Sequence, residues 1–205
     1  MARPCSKKAS PQRVSIFQSS PEGADPSFTD QARRPRMRQK GHTLKMQIRR
    51  LQHSDRTDVS RHFSRLDPAS RRVRFCGGAS DLMLRDYAGA IFSRARFVGG
   101  AFIGDEIRGL VELHAIHNSR AKTAEVAFSI EREWQNLGIG DALFEHMLTV
   151  ARNWGFIEIQ MICQRDNDRM RHLAAKHDAT LTFCERTVHA VLRAGVHCSN
   201  GAVQD

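Results

Sequence analysis

The chain has 205 residues, of which 40% are hydrophobic, and a formal net charge of +10 at pH 7. This length is enough for one domain with a sizeable core and a tail. No apolar run approaches the roughly 20 residues of a membrane-spanning helix, so the sequence argues against a membrane protein. The five cysteines are scattered, without metal-ligand spacing, and predict reduced thiols in a cytoplasmic protein with no metal site.

The first 40 residues differ in composition from the rest of the chain. They hold nine Lys and Arg against three Asp and Glu, which is +6 of the formal +10, and they are rich in Ser, Pro and Gln. Large apolar residues are few, so we predict a disordered basic tail over residues 1–40. The alternatives are a transit peptide, a translation start near Met37 or Met46, and a nucleic-acid-binding arm, which we disfavour.

Helical and strand patterns follow in the middle of the chain. Apolar residues at helical spacing predict a helix from about Asp55, and Pro68 begins a second, short helix. Residues 97–103 and 107–116 have strand patterns. The dipeptide 104–105, Gly-Asp, lies between them and predicts a hairpin.

The next segment combines a strand, a glycine-containing turn, a helix and a second strand. Residues 123–130 alternate with a period of two, which predicts a strand, and residues 135–140 read Gln-Asn-Leu-Gly-Ile-Gly. Apolar residues then recur at helical spacing up to Gly155, and residues 156–162 have a strand pattern. This order predicts a βαβ unit, in which ligands bind at the carboxyl ends of the strands.

Closely spaced glycines at a strand-to-helix junction are typical of phosphate-binding turns. Gly138 and Gly140 allow backbone N–H groups to approach a ligand closely, and the helix N-terminus contributes its positive dipole end. The alternative is a turn that serves packing alone. The sequence lacks the Gly-Lys-Ser/Thr ending of a P-loop and the third glycine of a dinucleotide-binding turn, so nucleoside triphosphates and NAD are disfavoured.

The C-terminal part of the chain completes a mixed α/β pattern. Residues 167–177 predict a helix, and residues 179–184 and 188–193 predict a closing hairpin. We place one domain over residues 41–195 and expect a frayed end over residues 196–205.

These motifs together resemble the GCN5-related N-acetyltransferase (GNAT) family. The pattern Gln135-x-x-Gly138-x-Gly140, preceded by the strand segment 125–128, Glu-Val-Ala-Phe, is similar to the acetyl-CoA site of that family. The segment 164–167, Gln-Arg-Asp-Asn, is similar to the start of the family's fourth helix. Residues 44–51 and 62–72 resemble its opening strand and first helices. The resemblance covers roughly residues 44–193 and leans toward bacterial protein-lysine acetyltransferase-like members.

The resemblance implies a specific α/β fold. We expect a mixed, mostly antiparallel central sheet of about six to seven strands, flanked by about four helices. The strands at 123–130 and 156–162 should pair over their first residues and then splay, leaving a wedge for acetyl-CoA.

The resemblance also implies how acetyl-CoA, the expected co-substrate, is held. Backbone N–H groups of the turn and the Gln135 side chain would bind the pyrophosphate, and the strand before the turn would pair with the peptide-like pantetheine arm. Asn167 would contact pantetheine or an ordered water, although a helix cap explains it equally well. The residues expected to bind acetyl-CoA are Phe128, Ile130, Gln135, Asn136, Leu137, Gly138, Ile139, Gly140 and Asn167.

The implied reaction is transfer of the acetyl group to a primary amine by direct attack in a ternary complex. The amine must first lose a proton, and we expect the carboxylate of Glu125 to accept it. A salt bridge from Glu125 to Lys122 or Arg132 is the structural alternative. The histidines at 114 and 117 are the alternative bases.

Three questions stay open in the sequence. Many family members place a tyrosine after the fourth helix to protonate the departing thiolate, but the only tyrosine here is Tyr87. That absence keeps a second hypothesis, an acetyl-CoA-binding regulatory module with little transferase activity. The acceptor is a protein lysine or a small amine, selected by segments interpreted as loops at 76–96 and 184–188. The oligomeric state is also open.

Overall fold

The computed structural model describes residues 36–39, 42–75, 77–117 and 122–194. Within them the strands are β1 (Arg36–Gln39), β2 (His42–Arg50), β3 (Phe97–Ile103), β4 (Glu106–Ile116), β5 (Thr123–Ile130), β6 (Glu158–Gln164), β7 (Thr180–Phe183) and β8 (Thr187–Arg193). The α-helices are α1 (Arg56–Arg65), α2 (Pro68–Phe75), α3 (Asp81–Arg94), α4 (Ile139–Asn153) and α5 (Asp168–Lys176).

The strands form one mixed sheet in the order β1-β2-β3-β4-β5-β6-β8-β7. Neighbouring strands are antiparallel throughout, except for β5 and β6, which run parallel. The predicted fold class, a mostly antiparallel sheet with flanking helices, is confirmed. The described residues contain one strand more than the six to seven expected, and five α-helices instead of about four.

Strand β1 lies inside the segment that the composition assigns to a basic tail. Arg36 pairs with Lys45 of β2, and Gln39 pairs with His42. Backbone pairing at a sheet edge requires no apolar side chain, so composition alone does not detect such a strand. The rest of the predicted tail, residues 1–35 and 40, and the predicted frayed end lie outside the described residues. The proposed domain limits of 41–195 therefore stay a prediction.

The interpretation of residues 76–96 as a loop is wrong, because residues 81–94 form α3. Ser80 caps this helix, and its hydroxyl accepts a hydrogen bond from the Met83 N–H group. The buried side chains of α3 recur at helical spacing: they are Leu84, Ala88 and Ile91. The exposed apolar residues Leu82 and Met83 obscure that pattern in the sequence.

Each face of the sheet carries its own hydrophobic cluster. On one face α4 buries Leu143, Phe144 and Met147 against the strands. On the other face α1 buries Val59 and Phe63 in a cluster with apolar residues of α3, β3 and β4. Full burial of such a side chain contributes about 1.5–3 kcal/mol, so both layers hold the central strands firmly.

The parallel strands β5 and β6 pair over only three residues. The pairs are Thr123 with Glu158, Ala124 with Ile159, and Glu125 with Gln160. Beyond Glu125 the strands part, while β5 stays paired with β4 along its whole length. The predicted splay is confirmed, and it leaves the β6-facing backbone of residues 126–130 without a strand partner among the described residues.

We expect Gly109→Ala to destabilise the protein by about 1–3 kcal/mol, because it overpacks a filled core. A Cβ at Gly109 of β4 would lie 2.7 Å from Cγ2 of Ile139 and 3.0 Å from Cδ1 of Leu143. Gly89→Ala on α3 is the matched control. A Cβ there meets nothing within 4 Å, and alanine should stabilise the helix by about 0.8–1 kcal/mol. Urea unfolding measures both changes. Equal stability of the two variants would contradict the close approach of α4 to β4.

Candidate active site

A cleft of about 860 Å³ opens beside β5, beyond the point where it parts from β6. It is bounded by α2, by the glycine turn before α4 and by α5. Seven of the nine residues expected to bind acetyl-CoA line it: Phe128, Ile130, Gln135, Asn136, Gly138, Gly140 and Asn167. The structure therefore brings together residues that the sequence separates by up to 39 positions.

The other two expected residues, Leu137 and Ile139, direct their side chains away from the cleft lining. Ile139 is 1% exposed in the core, and Leu137 is partly buried against the same cluster. Their predicted contribution is the backbone N–H group, which this packing leaves unchanged. All nine assignments stay predictions.

The glycine turn adopts a conformation that exposes the start of α4. Gly138 has φ +81° in the left-handed region, and a Cβ there would meet no atom within 4 Å beyond Gly138 itself and its two chain neighbours. The first N–H group of α4 to bond within the helix belongs to Ala142, which donates to the Gly138 carbonyl. The amide groups before it have no intrahelical partner and lie at the positive end of the helix dipole, which suits a phosphate.

Gln135 ties the turn to its surroundings. Its side-chain Nε2 donates to the carbonyl of Ile130, at 2.9 Å, and to the hydroxyl of Ser70, at 3.2 Å. These bonds link the end of β5 to α2. Its Nε2 is thus occupied within the protein, and its predicted contact with the pyrophosphate is untested.

Asn167 caps α5, so the helix-cap explanation given for this residue is confirmed. Its Oδ1 accepts a hydrogen bond from the Met170 N–H group at 3.2 Å. The residue also lines the cleft, so the cap and a contact with pantetheine are compatible.

The charged groups near the start of α4 are partly compensated. Asp141 lines the cleft and pairs with Lys176 at 2.6 Å and with His177 at 2.9 Å. Burial alone would raise the pKa of Asp141, but Lys176 and His177 lower it below its usual range. Arg132, also in the lining, is mostly exposed and lies 3.8 Å from Asp67.

Glu125 occupies the last paired position of β5 before the strands part. It is partly buried, opposite His114 of β4 and Gln160 of β6. It lies three residues before Phe128, about 10 Å along a strand, and is not in the cleft lining itself. The expected salt-bridge partners bond elsewhere: Lys122 donates to the Trp154 carbonyl, and Arg132 pairs with Asp67.

The sequence analysis missed a buried polar cluster on β4. It lies on the face of the sheet that carries Glu125, because Glu125 is paired with His114. We call Glu112, Arg74, Tyr87 and His114 the Glu112 cluster. Glu112 is 0% exposed and accepts hydrogen bonds from Arg74 Nη2 and the Tyr87 hydroxyl, both at 2.5 Å. His114 Nε2 lies 3.0 Å from the same carboxylate, whereas His117 is exposed. A glutamate in the middle of an apolar strand pattern was the available signal.

The pKa shifts in the Glu112 cluster keep Glu112 ionised and Tyr87 protonated near neutral pH. Burial alone would raise the pKa of Glu112, but Arg74, His114 and Tyr87 outweigh it and lower the pKa to about 2. Burial and the Glu112 charge raise the pKa of Tyr87 well above its usual range. The Tyr87 hydroxyl donates to Glu112 and accepts from Arg74, so it does not act as the missing proton donor in the cleft.

A second buried network joins α1 to the end of β5. His62 is 0% exposed, with Nε2 at 2.9 Å from the Ser129 hydroxyl and Nδ1 at 3.1 Å from Oε1 of Glu131. Arg65 and Arg108 also bind Glu131, at 2.9 and 2.8 Å. His62 is 67 positions from Ser129 and 69 positions from Glu131 in the chain. No local pattern in the sequence predicted these contacts.

Within the residues described here, no three His, Cys, Asp or Glu side chains are grouped so as to hold a metal ion. The helices of the same residues include none that is long and apolar enough to cross a membrane.

We expect Glu112→Gln to destabilise the protein by roughly 3 kcal/mol at pH 7, because the pKa of the buried carboxyl is about 2 instead of 4.5. A carboxyl whose pKa is lower in the folded state stabilises the fold fully when the pH is above its unfolded-state pKa of 4.5. This stabilisation is lost as the pH falls toward the folded-state pKa of about 2. The difference from wild type should therefore shrink steadily below pH 4.5. Urea unfolding as a function of pH measures it, with Asp105→Asn in the exposed β3–β4 turn as the control. A difference that is independent of pH would contradict the ionised state of Glu112.

Known proteins resemble this chain in sequence and in fold. The model of the acetyltransferase (GNAT) family matches residues 63–178. A curated acetyltransferase of Pseudomonas aeruginosa is 28% identical over 130 residues, which cover 62% of this chain and 70% of that protein.

Solved GNAT structures have the same architecture. The GNAT domain of S. lividans PAT is 21% identical, with a TM-score of 0.66, and the match covers 79% of this chain and 96% of that domain. YncA from Salmonella typhimurium, solved with its cofactor acetyl-CoA, is 14% identical, with a TM-score of 0.59. The match covers 77% of this chain and 98% of YncA.

The family match covers more than half of the chain, including the whole cleft-bearing βαβ unit. It favours the enzyme over the binding module that the sequence left open. The chain belongs to the GNAT acetyltransferase family and is an acetyl-CoA-dependent N-acetyltransferase.

Proposed function

We propose that the protein transfers the acetyl group directly to the amine of a protein lysine, within a ternary complex and with Glu125 as the general base. The observation that carries this proposal is the position of Glu125 at the fork between β5 and β6. A ligand that enters the fork from the cleft would extend toward this carboxylate.

The fork and the glycine turn together suit the two ends of acetyl-CoA. The pyrophosphate would bind the N–H groups at the start of α4, next to Gly138. The pantetheine arm would pair with the open edge of β5 at residues 126–130. Backbone N–H groups on that edge would also stabilise the oxyanion of the tetrahedral intermediate, where loss of one donor costs about 3–4 kcal/mol.

The acceptor must be deprotonated before it can attack. A lysine amine with a pKa of about 10.4 is mostly cationic at neutral pH, which is a handicap of roughly 4–5 kcal/mol. Glu125 shares its face of β5 with the small residues Ala127 and Ser129, so the space in front of it is not filled by its own strand. A carboxylate there accepts the proton directly or through water.

Exposed apolar side chains support a protein acceptor. Val73 of α2 lines the cleft and is 39% exposed. Leu82 and Met83, at the start of α3, are 64% and 46% exposed, and a salt bridge from Arg71 to Asp81 holds this turn against α2. A protein substrate buries such side chains, whereas a small amine does not reach them.

We expect Glu125→Gln to lower kcat by about 10²–10³-fold, since positioned general bases contribute on that order. The affinity for acetyl-CoA, measured by calorimetry, should be unchanged, because the substitution keeps the shape of the side chain. Glu158→Gln on β6, opposite Thr123, is the matched control and should retain activity. Coenzyme A release measures the rates. An unchanged kcat in Glu125→Gln would overturn the assignment of the base.

We expect the double variant Leu82→Ser, Met83→Ser to lower kcat/KM for lysine-containing proteins by about tenfold, which corresponds to 1.4 kcal/mol of lost apolar burial. The value for propylamine should stay the same, because both side chains lie on the surface of α3. Ile157→Ser, which removes a 56% exposed side chain before β6, is the control. Equal losses for both acceptors, or a kcat/KM that is higher for propylamine than for proteins, would contradict a protein substrate.

A further inference from the structure

The cleft contains a hydroxyl group that is connected to a buried histidine. Ser129 of β5 lines the cleft and is 5% exposed, and its Oγ lies 2.9 Å from Nε2 of His62. Nδ1 of the same ring lies 3.1 Å from Glu131. The three side chains form a continuous path for a proton, from the cleft to a ring that solvent does not reach.

The charge on Glu131 determines which way the hydrogen bonds of this path run. Burial alone would raise the pKa of Glu131, but His62, Arg108 and Arg65 lower it, so the group is a carboxylate. A carboxylate only accepts hydrogen bonds, and therefore Nδ1 is the protonated nitrogen in the His62 tautomer that fits this geometry. Nε2 is then the acceptor, the Ser129 hydroxyl donates to it, and the remaining lone pair of the serine oxygen is available to the cleft.

The reaction has more proton transfers than Glu125 alone performs. An ammonium acceptor has three N–H bonds and the amide product has one, so the nitrogen loses two protons. Glu125, about 13 Å from Ser129 along β5, takes the first before the attack through intervening water. The second leaves after the C–N bond has formed, and the sulfur of coenzyme A requires one proton when the C–S bond breaks.

We propose that Ser129 and His62 shuttle this second proton from the attacking nitrogen to the departing sulfur. The nitrogen gives its proton to Ser129 Oγ while the hydroxyl proton passes to His62 Nε2, and Glu131 stabilises the imidazolium that forms. As the C–S bond breaks, the proton returns along the same path to the thiolate. The serine and the histidine end as they began, and only the first proton reaches solvent.

The other polar groups near the cleft are less suited to this role. Ser70 lines the cleft, but its hydroxyl donates to the Asp67 carboxylate, at 2.6 Å, and has no imidazole behind it. Tyr87 is bound between Arg74 and Glu112. An imidazole both accepts and releases a proton near neutral pH, which a shuttle requires.

The proposal rests on direct acetyl transfer, and it holds for any amine that the enzyme acetylates. The test compares Ser129→Ala and His62→Gln with wild type, on whichever acceptor wild type turns over. We expect each variant to lower kcat by about 10²-fold, with an unchanged KM for acetyl-CoA. The double variant should be no slower than the single ones, because the two groups act as one unit. Ser64→Ala, a serine of α1 that bonds to the Ser60 carbonyl, is the matched control and should be fully active.

A kcat for Ser129→Ala within about twofold of wild type, or additive losses in the double variant, would overturn the shuttle. Mass spectrometry of the enzyme after mixing with acetyl-CoA, without an acceptor, tests a competing role. An acetyl group on Ser129 would make it a nucleophile and would also overturn the proposal. If lysine proteins are not acetylated but another amine is, the proposed acceptor is wrong and the test of the shuttle proceeds with that amine.

A readout without any acceptor tests the starting state. In ¹⁵N spectra of the histidine-labelled protein near neutral pH, His62 should be protonated at Nδ1 and not at Nε2. The signal is assigned by its loss in His62→Gln, and thermal unfolding of that variant shows whether it folds. A proton on Nε2 would mean that the ring donates to Ser129, and the proposed direction of transfer would be wrong.

Discussion

The site depends on the early end of the pairing between β5 and β6. A strand inside a sheet normally satisfies its backbone groups on both sides, but β5 does so on both sides only up to Glu125. The open edge beyond it needs hydrogen-bond partners, which a peptide-like ligand supplies. The same strand leads into the turn at Gly138, so the open edge and the free amide groups of α4 follow each other.

A strand that gives up one neighbour has to be held by others. Eight residue pairs join β5 to β4, and α4 packs on one face. At its far end the hydrogen bond of Gln135 to Ile130 and the pairing of Glu131 with Arg65 and Arg108 fix the chain where β6 is absent. Breaking a buried, charged contact leaves its partner uncompensated, so these bonds hold the end of β5 in one position.

Local patterns predicted the parts of the fold that rest on local rules. The period of two at 123–130, the glycines at 138 and 140, and the cap at Asn167 led to a strand, a helix start and a helix that the structure contains. Helix α3 was missed because exposed Leu82 and Met83 interrupt its polar face. The two buried polar networks join residues far apart in the chain, such as His62 and Glu131, and their contact follows from the topology alone.

The two buried networks differ in what their protons can do. In the Glu112 cluster the carboxyl pKa is lowered and the Tyr87 pKa is raised, so neither group exchanges a proton near neutral pH. The charge of Glu112 is paired with that of Arg74 inside the cluster, which suits a role in stabilising the packing of α2 on β4. Both networks contain an imidazole, the side-chain type whose ordinary pKa lies near neutrality, but the ring of His62 bonds directly to a hydroxyl that lines the cleft, that of Ser129. The Glu112 cluster reaches the cleft lining through Arg74, whose guanidinium only donates hydrogen bonds, whereas the His62 ring reaches it through a hydroxyl that both accepts and donates.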